Sequence, residues 1–293
     1  MKTYRFIAVA ILALFFASCG KDGNGRIRIS AEWMKLGGAK VYIEPTQVNK
    51  ATWVDGETVN LNGSTYFITK VNDKFYIDAE DNLPTAPYYA IYPSSIRDAV
   101  GNNVSVINNG SSGEVVMRSL GVNFHDSGHD VIFPMKAHAN REGSSLLFQH
   151  LTGGLQLTLT DTSGANITLA SVKVIARSTS EVTPISLDGI SARWDGQGPN
   201  VPSGTIGEND DDVDIKYSCE MNFILYDDGD ANVSFPGSGS RSFCIPVTVS
   251  SIHYLTVIGY SPSGVELFRK TKDLGTDKAV ARNTMYNIPT IKF

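Results

Sequence analysis

The densest set of reactive side chains lies at residues 125–130, HDSGHD. On a helix, His125 and His129 would aim both rings at one metal ion, with Asp126 and Asp130 beside them as oxygen donors. Gly128 interrupts that spacing and the flanking segments alternate as strands do. A turn with solvated or internally bonded side chains is therefore expected, and no metal is assigned. Ser127 does not complete a Ser-His-Asp triad, because triads converge in space and seldom from neighbours in sequence. His150 shares a strand face with Phe148 and is expected as a packed ring with satisfied nitrogens. The acidic runs GENDDDVD (207–214) and DDGDAN (227–232) crowd carboxylates as calcium loops do. Neither keeps the D-x-[DN]-x-[DN]-G order with a distant Glu, so both are read as solvated turns, with a weak calcium site as the alternative. The chain holds no G-x-S-x-G elbow, P-loop, G-x-G-x-x-G turn or H-E-x-x-H, and nothing selects a pair of glycosidase carboxylates. No cofactor is implied, and the chain is not expected to be an enzyme.

The chain has three cysteines, Cys19, Cys219 and Cys244. Cys19 ends a segment that begins with Lys2 and Arg5 and continues as an apolar run from Phe6 to Phe16. Charged start, short greasy middle and small Ala17-Ser18 are the marks of a secretory signal. As a helix the run would reach only about 16 Å, against a hydrocarbon core of about 30 Å, so it does not fit as a permanent span. The order FASC resembles the lipobox of bacterial lipoproteins, which implies a lipid on the Cys19 thiol and a mature chain starting there. Phe16 stands where Leu is most common. The leash GKDGNG would hold the fold clear of the headgroups. Alternation puts Cys219 on one face with Tyr217, Met221, Phe223 and Leu225, and puts Cys244 opposite Phe243, Ile245 and Val247. Two buried free thiols are expected, and a disulfide would need a shifted register or a bulge.

Residues 1–18 are thus read as a signal peptide and 19–25 as the leash. The rest of the 293-residue chain exceeds one small sandwich and suits two domains of roughly 130 to 140 residues. The boundary is placed between 145 and 146, giving units 26–145 and 146–293. The formal charge of −5 becomes about −7 without Lys2 and Arg5, and an acidic surface lacking a basic stripe argues against nucleic-acid binding.

The elements that must carry these residues are short strands. RIRISAEW (26–33) alternates apolar and polar, as a half-buried strand does. Asn62-Gly63 and Asn72-Asp73 break alternation at hairpin positions. PYYAIYP reads as a strand stopped at Pro93. Leu155, Leu157 and Leu159 point one way and Gln156, Thr158 and Thr160 the other. Residues 195–214 read as an exposed loop, IHYLTVIGY-SPSG-VELFRK as a hairpin, and only 270–282 could hold a short helix. The fold class is all-β, two antiparallel β-sandwiches in tandem.

Four phrases in order, ATWVDGETVNL (51–61), PYYAIYPSS (87–95), LLFQHLTGGLQLTLT (146–160) and RNTMYNIP (282–289), resemble the fimbrillin family of surface lipoproteins and fimbrial subunits in Gram-negative anaerobes. The resemblance implies transthyretin-like sandwiches and an outer-membrane location through acylated Cys19. It also implies assembly with other fimbrial subunits by β-strand addition after a protease removes the first strand. Arg26, Arg28, Lys35 and Lys40 are the candidate cleavage sites, and alternation alone is equally compatible with a first strand that stays in place. A shaft, anchor, tip or accessory subunit supporting adhesion is implied. The alternative is a glycan-binding surface lipoprotein, whose exposed aromatics would be drawn from Tyr88, Tyr89, Tyr92, Trp33, Trp53 and Trp194.

Overall fold

The computed structural model describes residues 27–33, 43–44, 47–48, 56–79, 83–110, 112–125, 128–142, 144–178, 185–194, 206–207, 217–248, 250–282 and 285–293. Among them the chain is all-β, built from several mainly antiparallel sheets. Cys19, Arg26, Lys35, Lys40 and most of the 195–214 loop lie outside the described residues. The strands used below are β1 (Ile27–Trp33), β2 (Thr58–Leu61), β3 (Ser64–Val71), β4 (Lys74–Ala79), β5 (Tyr88–Tyr92), β6 (Asn103–Asn108), β7 (Ser112–His125), β8 (Gly128–Asp130), β9 (Met135–Ala139) and β10 (Leu146–His150). They continue as β11 (Gly153–Thr160), β12 (Ser171–Arg177), β13 (Gly189–Arg193), β14 (Glu220–Asp227), β15 (Ser240–Val247), β16 (Ser250–Tyr260), β17 (Glu266–Val280), β18 (Met285–Asn287) and β19 (Ile291–Lys292).

Seven strands close a barrel in the order β1-β10-β9-β5-β2-β3-β4. Its core takes Val59, Leu61, Ile68, Ile77, Tyr88, Ala90, Tyr92, Met135, Ala137, Leu146 and Phe148, at alternating positions of the strands that supply more than one. The turns at Asn62-Gly63 (φ 49° and 90°) and Asn72-Asp73 (φ 50° and 60°) sit in the left-handed region that two-residue hairpins require. Both match the sequence reading. β1 completes the ring in two ways: antiparallel to β4 from Ile27 to Ser30, and parallel to β10 from Ala31 to Trp33.

The larger core lies between two sheets. One has ten strands and runs β17-β16-β12-β14-β7-β6 along its main path; the other has four, with β15 and β18 flanking β11 and β19 also pairing β11. Leu155, Leu157 and Leu159 of the smaller sheet face Val172, Val174, Met221 and Phe223 of the larger one. Phe223 and Phe243 are fully buried, each contributing about 2–3 kcal/mol through lost apolar surface. Phe268 lies over Gly259, where a Cβ would come within 2.2 Å of the ring, so only glycine admits this packing. The ring of Phe268 in turn stacks on Phe293 at 4.2 Å.

Three expectations are corrected. The division between 145 and 146 does not separate the sheets: β6 to β8 belong to the ten-stranded sheet, after which β9 and β10 return to the barrel. Alternation tells which face a side chain takes and not which sheet its strand joins. The helix considered for 270–282 is strand β17, because pairing with β16 outweighs local preference. Cys219 does not share the face of Met221. The strand is broken at this residue, and Cys219 packs with Ile175 and Ile258 on the other side of the large sheet.

β7 changes partner part-way along. Residues 112–116 pair antiparallel with β13, and residues 119–124 pair parallel with β14. The carboxylate of Asp188, fully buried, spans the change: Oδ2 takes a hydrogen bond from Arg118 Nη1 at 2.5 Å, and Oδ1 takes one from the Ser218 amide at 2.8 Å. Its backbone carbonyl accepts from Met117 N at 2.6 Å. Removing the Asp188 carboxylate leaves the buried Ser218 amide without its acceptor and Arg118, 30 % exposed, without its counter-charge. Asp188→Ala is therefore expected to lower stability by about 2 kcal/mol, read as a lower urea midpoint with an unchanged slope, whereas Lys70→Ala, which loses a pair with the exposed Asp73, should shift it by less than about 0.5 kcal/mol.

Candidate functional site

The site that the sequence analysis implies is the seam filled by β1. Of this strand Ala31 points into the barrel and is buried. Its register sets Arg28 opposite Asp78 and Glu32 opposite Leu147. Without β1, the edges of β4 and β10 would lose their ladder partners and the barrel core would open along one side. Arg28 lies within the strand; Arg26, Lys35 and Lys40, outside the described residues, flank it in sequence. The seam is thus a structural site of paired backbone and apolar burial, with no reactive group required.

The described residues of the HDSGHD run belong to the antiparallel pair of β7 and β8, in which Phe124 pairs with His129 and His125 with Gly128. Neighbours on a strand alternate sides, so the two rings face opposite ways and cannot share a metal ion. Asp126 lies outside the described residues. His125 Nε2 stands 2.6 Å from Asp130 Oδ2 and Nδ1 3.4 Å from Asp228 Oδ1. The Asp130 hydrogen bond, with Asp228 adding, holds His125 more basic than an ordinary histidine against the opposing effect of burial. His129 is buried, and its Nε2 accepts the Cys244 amide N–H at 2.7 Å. Burial lowers its pKa to about 4. His150 is buried in the barrel beside Phe133, and burial lowers it likewise to about 4. Among the described residues no three His, Cys, Asp or Glu side chains are grouped to hold a metal ion. In the DDGDAN turn Asp227 pairs with Arg241 at 3.1 Å and Asp228 meets the His125 ring, so one carboxylate faces a guanidinium and the other an imidazole.

The aromatics proposed for sugar stacking are mostly engaged inside the fold. Tyr88 and Tyr92 belong to the barrel core, and the Tyr92 hydroxyl donates to Glu57. Burial first, then the Glu57 charge, raises the Tyr92 pKa well above that of a free phenol. Tyr89 points outward but stacks on His138 at 4.8 Å and meets Trp194 at 5.3 Å. Trp194 also packs against the larger core. Trp53 and the side chain of Trp33 lie outside the described residues. This Tyr89–His138–Trp194 cluster, with Lys136 Nζ 5.8 Å from the Trp194 ring centre, joins barrel and sandwich. Beside it the Asn108 side chain donates to Tyr89 O at 2.7 Å. Spacing along the chain gave no sign of this contact, because its members come from positions 89 to 194.

No family model matches the chain, and no curated protein matches it. Solved structures to which it is similar include a candidate cell adhesion protein from Bacteroides ovatus, 11% identical over 91% of each chain with a TM-score of 0.46. Another is a candidate cell adhesion protein from Bacteroides fragilis, 11% identical over 91% of this chain and 93% of the other, TM-score 0.37. A fimbrial protein from Bacteroides ovatus is 11% identical over 90% of this chain and 50% of its own length, TM-score 0.28.

Cys219 and Cys244 form no disulfide and are buried, on the outward sides of opposite sheets, which the core between them keeps from bridging. Burial pushes the Cys244 thiol up to about 12. Since the thiolate is the reactive form, native protein at pH 8 should leave both thiols unlabelled by iodoacetamide over hours, and urea should make both react; peptide mass mapping reads the difference.

Proposed function

We propose that the chain is a surface lipoprotein of fimbrillin type, a structural, tip or accessory subunit of a fimbria that supports adhesion, with no catalytic centre. Acylation of Cys19 anchors it in the outer membrane, and strand exchange at the β1 seam joins it to other subunits. The observation that supports this reading best is the position of β1: a seven-residue strand next to the leash whose departure opens a barrel on two edges at once. An incoming strand with the same alternation would regain ladder bonds and apolar burial together.

The four basic residues are not equivalent in this scheme. A cut after Lys35 or Lys40 frees the whole of β1, whereas a cut after Arg28 leaves Ile29 to Trp33 in place. Lys35 and Lys40 are therefore the maturation sites this geometry favours.

Two outcomes follow. Cys19→Ala should release the protein from the membrane fraction, read by fractionation; retention with normal processing would remove the lipid anchor from the scheme. A chain beginning after residue 40 should bind a peptide of residues 26–33, and the same peptide with Ala31→Glu should bind at least about tenfold more weakly, since a carboxylate would be carried into the core. Equal binding of both peptides in calorimetry would overturn strand exchange at this seam.

A further inference from the structure

The two histidines of the β7–β8 hairpin hold it by opposite chemistry. His125 faces a carboxylate on each nitrogen, Asp130 from β8 and Asp228 from the turn after β14. A neutral imidazole has one N–H and can donate to only one of them; the imidazolium donates to both. His129, on the other face, does the reverse. Its Nε2 is an acceptor for the amide of Cys244 on β15, the edge strand of the smaller sheet, and a proton there would set donor against donor. The same hairpin is therefore tied to β14's turn by a charged ring and to β15 by a neutral one.

Further bonds close the joint. The Asp228 amide donates to Phe124 O at 2.7 Å and the Gly229 amide to Asn123 Oδ1 at 2.8 Å. Among the described residues the ionisable groups facing His125 are Asp130 and Asp228, with the Asn123 amide 3.3 Å from Nε2. Those facing His129 are Asp130 and His125, and across the Phe124 ring stands Arg241, paired with Asp227.

The geometry points to a pH-gated latch: the hairpin of β7 and β8 locks the turn after β14 and the edge of β15 together within a limited pH window, and loosens on either side of it. The signs follow from each ring. His125 is more basic when folded, so its contribution is complete below its ordinary value of 6.5 and fades as pH rises through the raised one. His129 is less basic when folded, so its contribution is complete above 6.5 and fades as pH falls towards about 4. Both hold together from about pH 6.5 up towards the raised value of His125, close to neutrality. This device is independent of the β1 seam and would act at one end of the sandwich.

The test is hydrogen exchange of the Cys244 amide from pH 5 to pH 8, each rate divided by its intrinsic rate, together with NMR titration of both rings in the full chain. In wild type, opening should pass through a minimum. In His125→Gln, where only the buried ring titrates, opening at pH 5 should exceed that at pH 7 by about 20-fold. In His129→Gln, whose amide oxygen can still accept the Cys244 N–H, the acid rise should vanish while the alkaline rise remains. Asp228→Asn should lower the titration of His125 without touching the core, which serves if either glutamine variant fails to fold. One pH profile shared by all the proteins, or both rings titrating near 6.5, would overturn the latch.

Discussion

The carboxylate of Asp188 is the constraint on which the larger unit depends. β7 must serve β13 along one half and β14 along the other, antiparallel and then parallel, and backbone groups at such a change lose their regular partners. An unpaired polar group there would cost about 1–3 kcal/mol. Asp188 supplies acceptors on both sides of the change and is itself neutralised by Arg118. The bulge of β7 against β6 between Met117 and Ser119 falls at the same level. β12, β16 and β17 add outward from β14, so their order rests on this point.

The barrel is fixed to this frame by groups that face away from its own core. Ile91 leaves the barrel and enters the larger core, Asn108 bonds the carbonyl of Tyr89, and the Val106 amide donates to Ser95 Oγ at 2.9 Å. The chain crosses between the two units three times, which ties them more firmly than a single linker would. β1 is held on both sides by its ladder partners β4 and β10, and Ala31 carries it into the barrel core.

The edges show how an all-β chain limits unwanted pairing. β17 is the long outer strand of the ten-stranded sheet, and it carries Arg269, Lys270, Lys272 and Lys278. Its bulge, opposite His253, is clasped by Asp273 at 3.2 Å and Asp277 at 2.7 Å from the imidazole. Charge and irregularity both disfavour a further strand there. On β15, His129 occupies the edge amide of Cys244. Long edges guarded in this way are poor templates for a further strand.

Alternation and turn chemistry carried much of the fold in the residues themselves. The two-residue turns at Asn62-Gly63 and Asn72-Asp73, the inward leucines of β11 and the paired faces of Phe148 and His150 follow from side-chain period and backbone permissiveness, which are local properties. The hairpin of β16 and β17 was visible for the same reason. Which sheet a strand joins was not, because pairing is decided by partners distant in sequence; hence β6 to β8 sit beyond the boundary that length and composition suggested. The broken phase at Cys219 and the opposite roles of His125 and His129 were equally hidden. They depend on Ile258, Asp228 and the Cys244 amide, groups more than 30 residues away that only the folded chain brings within reach.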